Sequence, residues 1–233
     1  MPLYLDSYAR TPVGNYAGAL AKGTSTFAAA DPARMAALAG CSMAGGRATG
    51  AGSGTILLPC LGHLFEVEHP AGRVRFAGTD LEPNGTLLIV ILNHLARADG
   101  APLEGRPISY RELPAGEVFW RAFVRYSIEP LAGHFGTRAE RLPVAARPLG
   151  GESIQTKADF SVRLPFFPRL PLIVQVSAAD DELPGAANIL FDASAPHYIH
   201  TEDAAAVGSY VGHLLAAVEK GTDPAGLADH GVV

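Results

Sequence analysis

Apolar and polar positions change their spacing several times along the chain, and each change predicts an element. Residues 2–22 carry a helical pattern interrupted near Pro12 and Gly14. A sharper helix is predicted at 31–39: Asp31 is a good N-cap, Pro32 stands where its missing N–H costs nothing, and Gly40 follows as a stop. The glycine-rich stretch 44–54 predicts an exposed loop. Short strands follow at 55–59, 63–68 and 73–76. In the second, Phe65 and Val67 alternate with Glu66 and Glu68, as on a half-buried antiparallel strand.

Residues 86–98 place Leu87, Leu88, Ile91, Leu92 and Leu95 on one helical face, with Gly100 beyond the end. A second helix is predicted from Pro114 through Phe119, Trp120, Phe123 and Val124, and a third near 136–147, where Pro143 falls inside the pattern. After Gly150-Gly151 the period returns to two at 159–164, and 172–176 and 189–191 are compact apolar runs. The last helix spans 202–219, capped by Thr201, with a stripe through Ala206, Val207, Tyr210, Val211, Leu214, Leu215 and Val218. Runs of like elements, rather than strict alternation, indicate an α+β fold. It would have short antiparallel strands in two clusters and helices packed on one side, as one domain over 1–220 with a flexible tail at 221–233. Ile-Leu-Asn-His94-Leu and Tyr-Val-Gly-His213-Leu hint at a weak internal duplication, each histidine being read as lying in or near the core.

Composition narrows the function classes. A chain of 233 residues with 48% apolar and 18% charged residues can bury a proper core. Its formal net charge of −5 disfavours nonspecific attraction to nucleic acid or anionic membranes. No segment approaches the roughly 20 apolar residues of a membrane span. The start, Met-Pro-Leu-Tyr-Leu-Asp, lacks the features of a signal peptide, and Cys41 and Cys60 provide no disulfide framework. The expectation is a cytoplasmic protein with neither nucleic acid nor membrane as partner.

Charge is segregated. The fifty residues between Arg169 and Lys220 contain no lysine or arginine but seven acids and three histidines, whereas eleven of the eighteen basic residues lie between Arg97 and Arg169. The triplet Asp180-Asp181-Glu182 sits between two apolar strands, either as a solvated turn or as a group relieved by a cation or an arginine. Asp192 follows Ile-Leu-Phe at a strand end, either capping Ala193 and Ser194 or facing a cleft. Glu202 and Asp203 are explained as first-turn acids of the last helix. His197 and His200 are three apart, but Pro196 and Thr201 argue against the helix that would align them as ligands. Cys60-Leu-Gly-His63 has ligand-like spacing without a second pair, and the glycines at 50, 52 and 54 precede a strand rather than a helix. Arg111 and Arg169 are candidate anion clamps or salt-bridge partners, and Glu112 a first-turn or capping carboxylate.

Several of these segments together resemble an uncharacterised prokaryotic family, the domain of unknown function numbered 3786. They are Leu92-Asn93-His94-Leu95, Pro102-Leu103-Glu104-Gly105, Ile108-Ser109-Tyr110-Arg111-Glu112-Leu113-Pro114 and Pro168-Arg169-Leu170-Pro171-Leu172. Ala179-Asp180-Asp181-Glu182-Leu183-Pro184, Ile189-Leu190-Phe191-Asp192-Ala193-Ser194-Ala195 and His197-Tyr198-Ile199-His200-Thr201-Glu202-Asp203 complete the set, and the likeness runs from about Asp31 to about Leu215. Where the family often has two glycines, Ala115-Gly116 retains one. The resemblance implies an anaerobic setting linked to corrinoid-dependent one-carbon metabolism, although the cysteine-rich iron–sulfur module of some relatives is absent here.

The leading expectation is an accessory protein that binds a small molecule, cofactor or protein partner, its cofactor and any reaction unspecified. Arg111, Glu112 and Arg169 would meet Asp180, Asp181, Glu182 and Asp192 at one cleft. A metal-dependent enzyme would instead use Asp180, Asp181, Asp192 and a histidine such as His197 or His200. A third reading is a purely structural partner-binding module with an apolar surface near Trp120 and Phe123.

Overall fold

The computed structural model describes residues 13–46 and 52–221. Helix α1 spans Val13–Ala28, so it runs beyond the expected stop near residue 22; residues 2–12 of that expected helix lie outside the described residues. Helix α2, Pro32–Ala39, starts on Asp31, whose carboxylate accepts from the Arg34 amide at 2.7 Å, and ends at Gly40 with φ 73°. Strands β1 (Ser42–Met43), β2 (Gly54–Cys60), β3 (His63–His69) and β4 (Arg73–Phe76) form an antiparallel sheet in that order. Phe65 and Val67 face inward as the alternation predicts. Leu61 and Gly62, with φ 48° and 78°, make the two-residue β2–β3 turn and set Cys60 opposite His63. The ligand-like spacing is therefore hairpin geometry. Cys60 is fully buried, which pushes its thiol well above the ordinary range.

Helix α3, Gly85–Arg97, is capped by Asn84, whose side chain accepts from the Leu87 amide. Strand β5 (Pro107–Ser109) leads through a tight turn at Tyr110–Glu112 into α4, Gly116–Phe123. Ala115 sits there at φ 59°, a conformation that disfavours a Cβ, while a Cβ at Gly116 would lie 2.0 Å from the Tyr110 carbonyl oxygen. Of the two positions, the chain keeps glycine where no side chain fits. Helix α4 does not stop at Val124. It widens into a π turn over Val124–Ile128 and continues as α5, Glu129–Phe135. Helix α6, Leu142–Ala146, has Pro143 within its first two residues, so the proline opens this helix instead of breaking it.

Strands β6 (Glu152–Ser153), β7 (Phe160–Phe167), β8 (Leu170–Ser177) and β9 (Ala186–Asp192) join β5 in a second antiparallel sheet ordered β5-β9-β8-β7-β6. Along β8, Leu170, Leu172, Val174 and Val176 are buried on one face. The final helix, α7, spans Thr201–Glu219. Thr201 does not cap it: its hydroxyl donates to the Pro114 carbonyl at 2.6 Å, and the N-cap position is His200. Gly208 lets α7 approach the α4–α5 rod, since a Cβ there would meet the Phe123 ring at 2.5 Å. Buried residues of both sheets form one contiguous core.

The fold is thus α+β, with antiparallel strands in two clusters. The two histidines of the suspected duplication differ, since His94 is buried and His213 is exposed. The expected tail, from residue 222 onward, lies outside the described residues. No helix among the described residues is long and apolar enough to cross a membrane.

Candidate ligand-binding cleft

The residues singled out for a single acid–arginine cleft do not meet in one place. Asp180, Asp181 and Glu182 lie in the β8–β9 turn, beyond the Ser177–Ala186 pair; Asp192 ends β9 at the other extreme. Strand rise separates the two ends by about 20 Å. Arg169 precedes β8 at the Asp192 end, so it is equally remote from the triplet. The single-cleft arrangement fails on this distance, and so does the metal set that joined Asp180 and Asp181 to Asp192. Among the described residues, no three His, Cys, Asp or Glu side chains are grouped to hold a metal ion.

Asp180, Arg111 and Glu112 have local partners instead. Asp180 accepts from the amides of Glu182 and Leu183 at 2.9 and 2.7 Å, and these bonds hold its carboxyl below the usual range. Arg111 makes a two-pronged pair with Glu117, both contacts at 2.7 Å, and its guanidinium lies 5.3 Å from the Trp120 ring centroid. Glu112 accepts from the Ser109 amide and hydroxyl, closing the tight turn as a capping carboxylate.

Arg169, Asp192, His197 and Tyr198 converge on the irregular segment 98–106. Arg169 donates to the carbonyls of Gly100 and Ala101, both at 3.3 Å, and the Tyr198 hydroxyl also donates to Ala101. His197 pairs with Asp99 at 2.6 Å. Asp192 accepts from the amides of Glu104 and Gly105 and from the amide and hydroxyl of Ser194. Burial alone would raise its carboxyl, but these donors outweigh burial and leave it lowered. This is a fully bonded clamp on a loop.

An open cleft lies elsewhere, between α1, α3, the α4–π turn and the start of α7. Its inner chamber, about 380 Å³, has Ala19 on one side, Ile89 and Val90 as floor, and Phe123, Tyr126 and Ser127 opposite. The outer chamber, about 720 Å³, is edged by Lys22, Asn93, Arg97, Phe119 and His200. Both chambers share Ala19, Ile89, Glu202 and Asp203. Phe123, expected on an exposed apolar patch, is buried and stacked on Tyr110 with centroids 4.1 Å apart; among the described residues, Phe119 and Tyr126 are the exposed aromatics.

Helix geometry assembles this cleft from distant segments. Asn93 and Arg97 are one turn apart on α3. Asn93 donates to Asp203 at 3.0 Å, and an Arg97 N–H donates to His200 Nδ1 at 3.2 Å. The Tyr110 hydroxyl donates to the Thr201 carbonyl at 3.0 Å, fixing the start of α7. Burial raises the Asp203 carboxyl; the Asn93 bond, His200 and Arg97 oppose the shift, and Glu202 adds to it. Ser127 is 1% exposed, and its hydroxyl oxygen has no hydrogen-bond partner. Serine in a helix ordinarily bonds to a carbonyl one turn back, so an orphan at a π turn lining a chamber is unusual.

Sequence reasoning named Glu202 and Asp203 but assigned them wholly to helix stabilisation, and it missed Asn93 and Ser127 as site residues. The available signal was Asn93 beside a leucine stripe, one turn before Arg97.

A two-sheet α+β protein with an interhelical cleft is the class that fold and site define. The chain belongs to the family described as Domain of unknown function (DUF3786), which it matches over residues 31–213. No curated protein and no solved structure matches it.

Proposed function

We propose that this protein is a cytoplasmic accessory protein that binds a small molecule in the cleft between α1, α3, α4 and α7. The observation that carries the reading is the pair of adjoining chambers sharing Glu202 and Asp203, with Ser127 buried and unpartnered on the inner wall. Concave, mostly apolar sites with a few convergent polar groups are where small ligands bind. Two segments of the family resemblance line the cleft, one through Asn93 and one through Thr201 and Asp203, and a third adjoins it where Pro114 accepts from the Thr201 hydroxyl. The acid-rich balance supports a partner other than nucleic acid or an anionic membrane. The anaerobic, corrinoid-linked setting rests on the family resemblance, and visible absorbance of the gently purified protein tests it directly.

The binding test uses benzyl alcohol, a neutral aromatic probe small enough for the inner chamber, observed by saturation-transfer NMR. Signal is expected with the wild type and lost in Ala122→Trp, whose indole fills the chamber from the exposed side of α4. Equal signal from both proteins, or none from the wild type, overturns the assignment of the cleft.

A further inference from the structure

Apolar surface left in solvent is concentrated on one helix. Of seven large apolar side chains exposed among the described residues, Val118, Phe119 and Tyr126 stand on α4 and the π turn, while the other four are scattered over separate segments. Scattered ones need no explanation; a cluster marks a surface for association. Val118, 76% exposed, borders neither chamber of the cleft. Also away from the cleft, Trp120 and Val124 form one ridge, half-buried and one turn apart. Arg121 and Arg125, both exposed, form the ridge beside it. With Glu129 these four line a shallow hollow of about 410 Å³.

The two arginines are unspent. Among the described residues neither has a carboxylate within pairing distance: Arg111 takes Glu117, and Glu129 reaches neither. Arg125 lies over the Tyr126 ring at 5.5 Å, a contact made through the flat face of the guanidinium that leaves its N–H edge for a carboxylate. On a chain of net charge −5, an unpaired arginine pair calls for acid from outside. Nucleic acid fits poorly, since two cations flanked by Glu117 and Glu129 do not make a phosphate track. We propose that this face docks an acidic amphipathic helix of a protein partner. Its carboxylates, one turn apart, meet Arg121 and Arg125, and its apolar ridge fills the hollow against Trp120 and Val124. Tryptophan and arginine are among the residues that most often carry binding energy at interfaces. The surface lies outside the cleft, so the proposal stands or falls independently of the small-molecule reading.

Trp120 is the chain's one tryptophan, so its emission reads this face directly in titrations with tryptophan-free peptides. The probe is a capped peptide of Glu-Leu-Ala-Ala repeats, which sets glutamate and leucine ridges side by side on one helix. It should shift Trp120 emission to shorter wavelength and bind about tenfold tighter than its Gln-Leu-Ala-Ala counterpart, as two exposed ion pairs allow. The preference should fade in high salt. Arg121→Gln combined with Arg125→Gln should abolish it without changing the melting temperature, whereas Arg163→Gln, on β7, should keep it. Equal binding of both peptides, or a preference that survives the double variant, overturns the proposal, as does the absence of any emission change. Tighter binding of oligothymidylate than of the acidic peptide assigns the face to nucleic acid. Sedimentation as a dimer that Val118→Asp dissociates assigns it to a second copy. Either result overturns the proposal as well.

Discussion

Asp192, buried, and Asp203, partly buried, are two carboxylates that the fold treats in opposite ways. Asp192 collects four donors from Glu104, Gly105 and Ser194, and its carboxyl is lowered. Asp203 has one donor, Asn93, and its carboxyl is raised. The first region is committed to structure, because one carboxylate oxygen holds the Glu104 amide and the other the Gly105 amide against the end of β9. The second carries unspent bonding capacity beside a cavity. Burial by itself does not mark a site; bonding capacity left over beside a cavity does.

The sharpest break of this comparison is Asp192→Ala. It strands two loop amides and both groups of Ser194, and should destabilise the protein by about 4 kcal/mol, read from urea denaturation. A loss under about 1 kcal/mol would mean that the carboxylate is not the clamp it resembles. Next comes His94, a half-satisfied group that lies off both chambers. Its Nδ1–H donates to the Tyr198 carbonyl at 3.0 Å, its other nitrogen has no partner, and burial lowers its pKa to about 4. Because the folded value is depressed from 6.5, the stabilising contribution is present above pH 6.5 and is lost as pH falls toward 4. The loss should approach about 3 kcal/mol. His94→Asn, which keeps a donor for Tyr198, should lose distinctly less than the wild type over that window; equal losses would refute a neutral buried imidazole.

The smallest effect belongs to Asp203→Asn. Here the folded value is raised, so ionisation disfavours the fold once pH climbs past it. The variant should therefore melt slightly higher than the wild type at neutral pH, the gain vanishing below about pH 4, the ordinary carboxylate range. A variant that melts lower at neutral pH would place Asp203 with Asp192, as a structural carboxylate.

Much of the fold was legible in the sequence because local physics settled it. The Asp31 cap, the Phe65/Val67 alternation and the β8 run each needed only their neighbours. Pro143 misled because a proline inside a pattern and a proline opening a new helix look alike until the preceding chain is placed. The charge segregation suggested one acidic site, but β8 and β9 carry its acids to opposite ends of a hairpin. Arg111 found Glu117, six residues on, rather than a distant acid. The cleft stayed hidden for a different reason. Asn93 and Asp203 are 110 positions apart, and nothing local distinguishes an acid that merely starts a helix from one turned toward an asparagine on another. The π turn was equally silent, since Val-Arg-Tyr-Ser-Ile reads as ordinary helix.

That turn fixes an angular phase. Phe123, Ser127, Leu131 and Phe135 are spaced by four and all buried. In an unbroken α-helix each step of four overshoots a full turn by about 40°, so the last would point about 120° away from the first. The wider loop at 124–128 takes up part of that overshoot and keeps the seam facing α7. Deleting a single residue there would restore regular helix, yet it would also rotate Leu131 and Phe135 out of register with the core. The orphaned Ser127 is therefore held by the same insertion that keeps the helical rod aligned, and the chain cannot discard the one without misaligning the other.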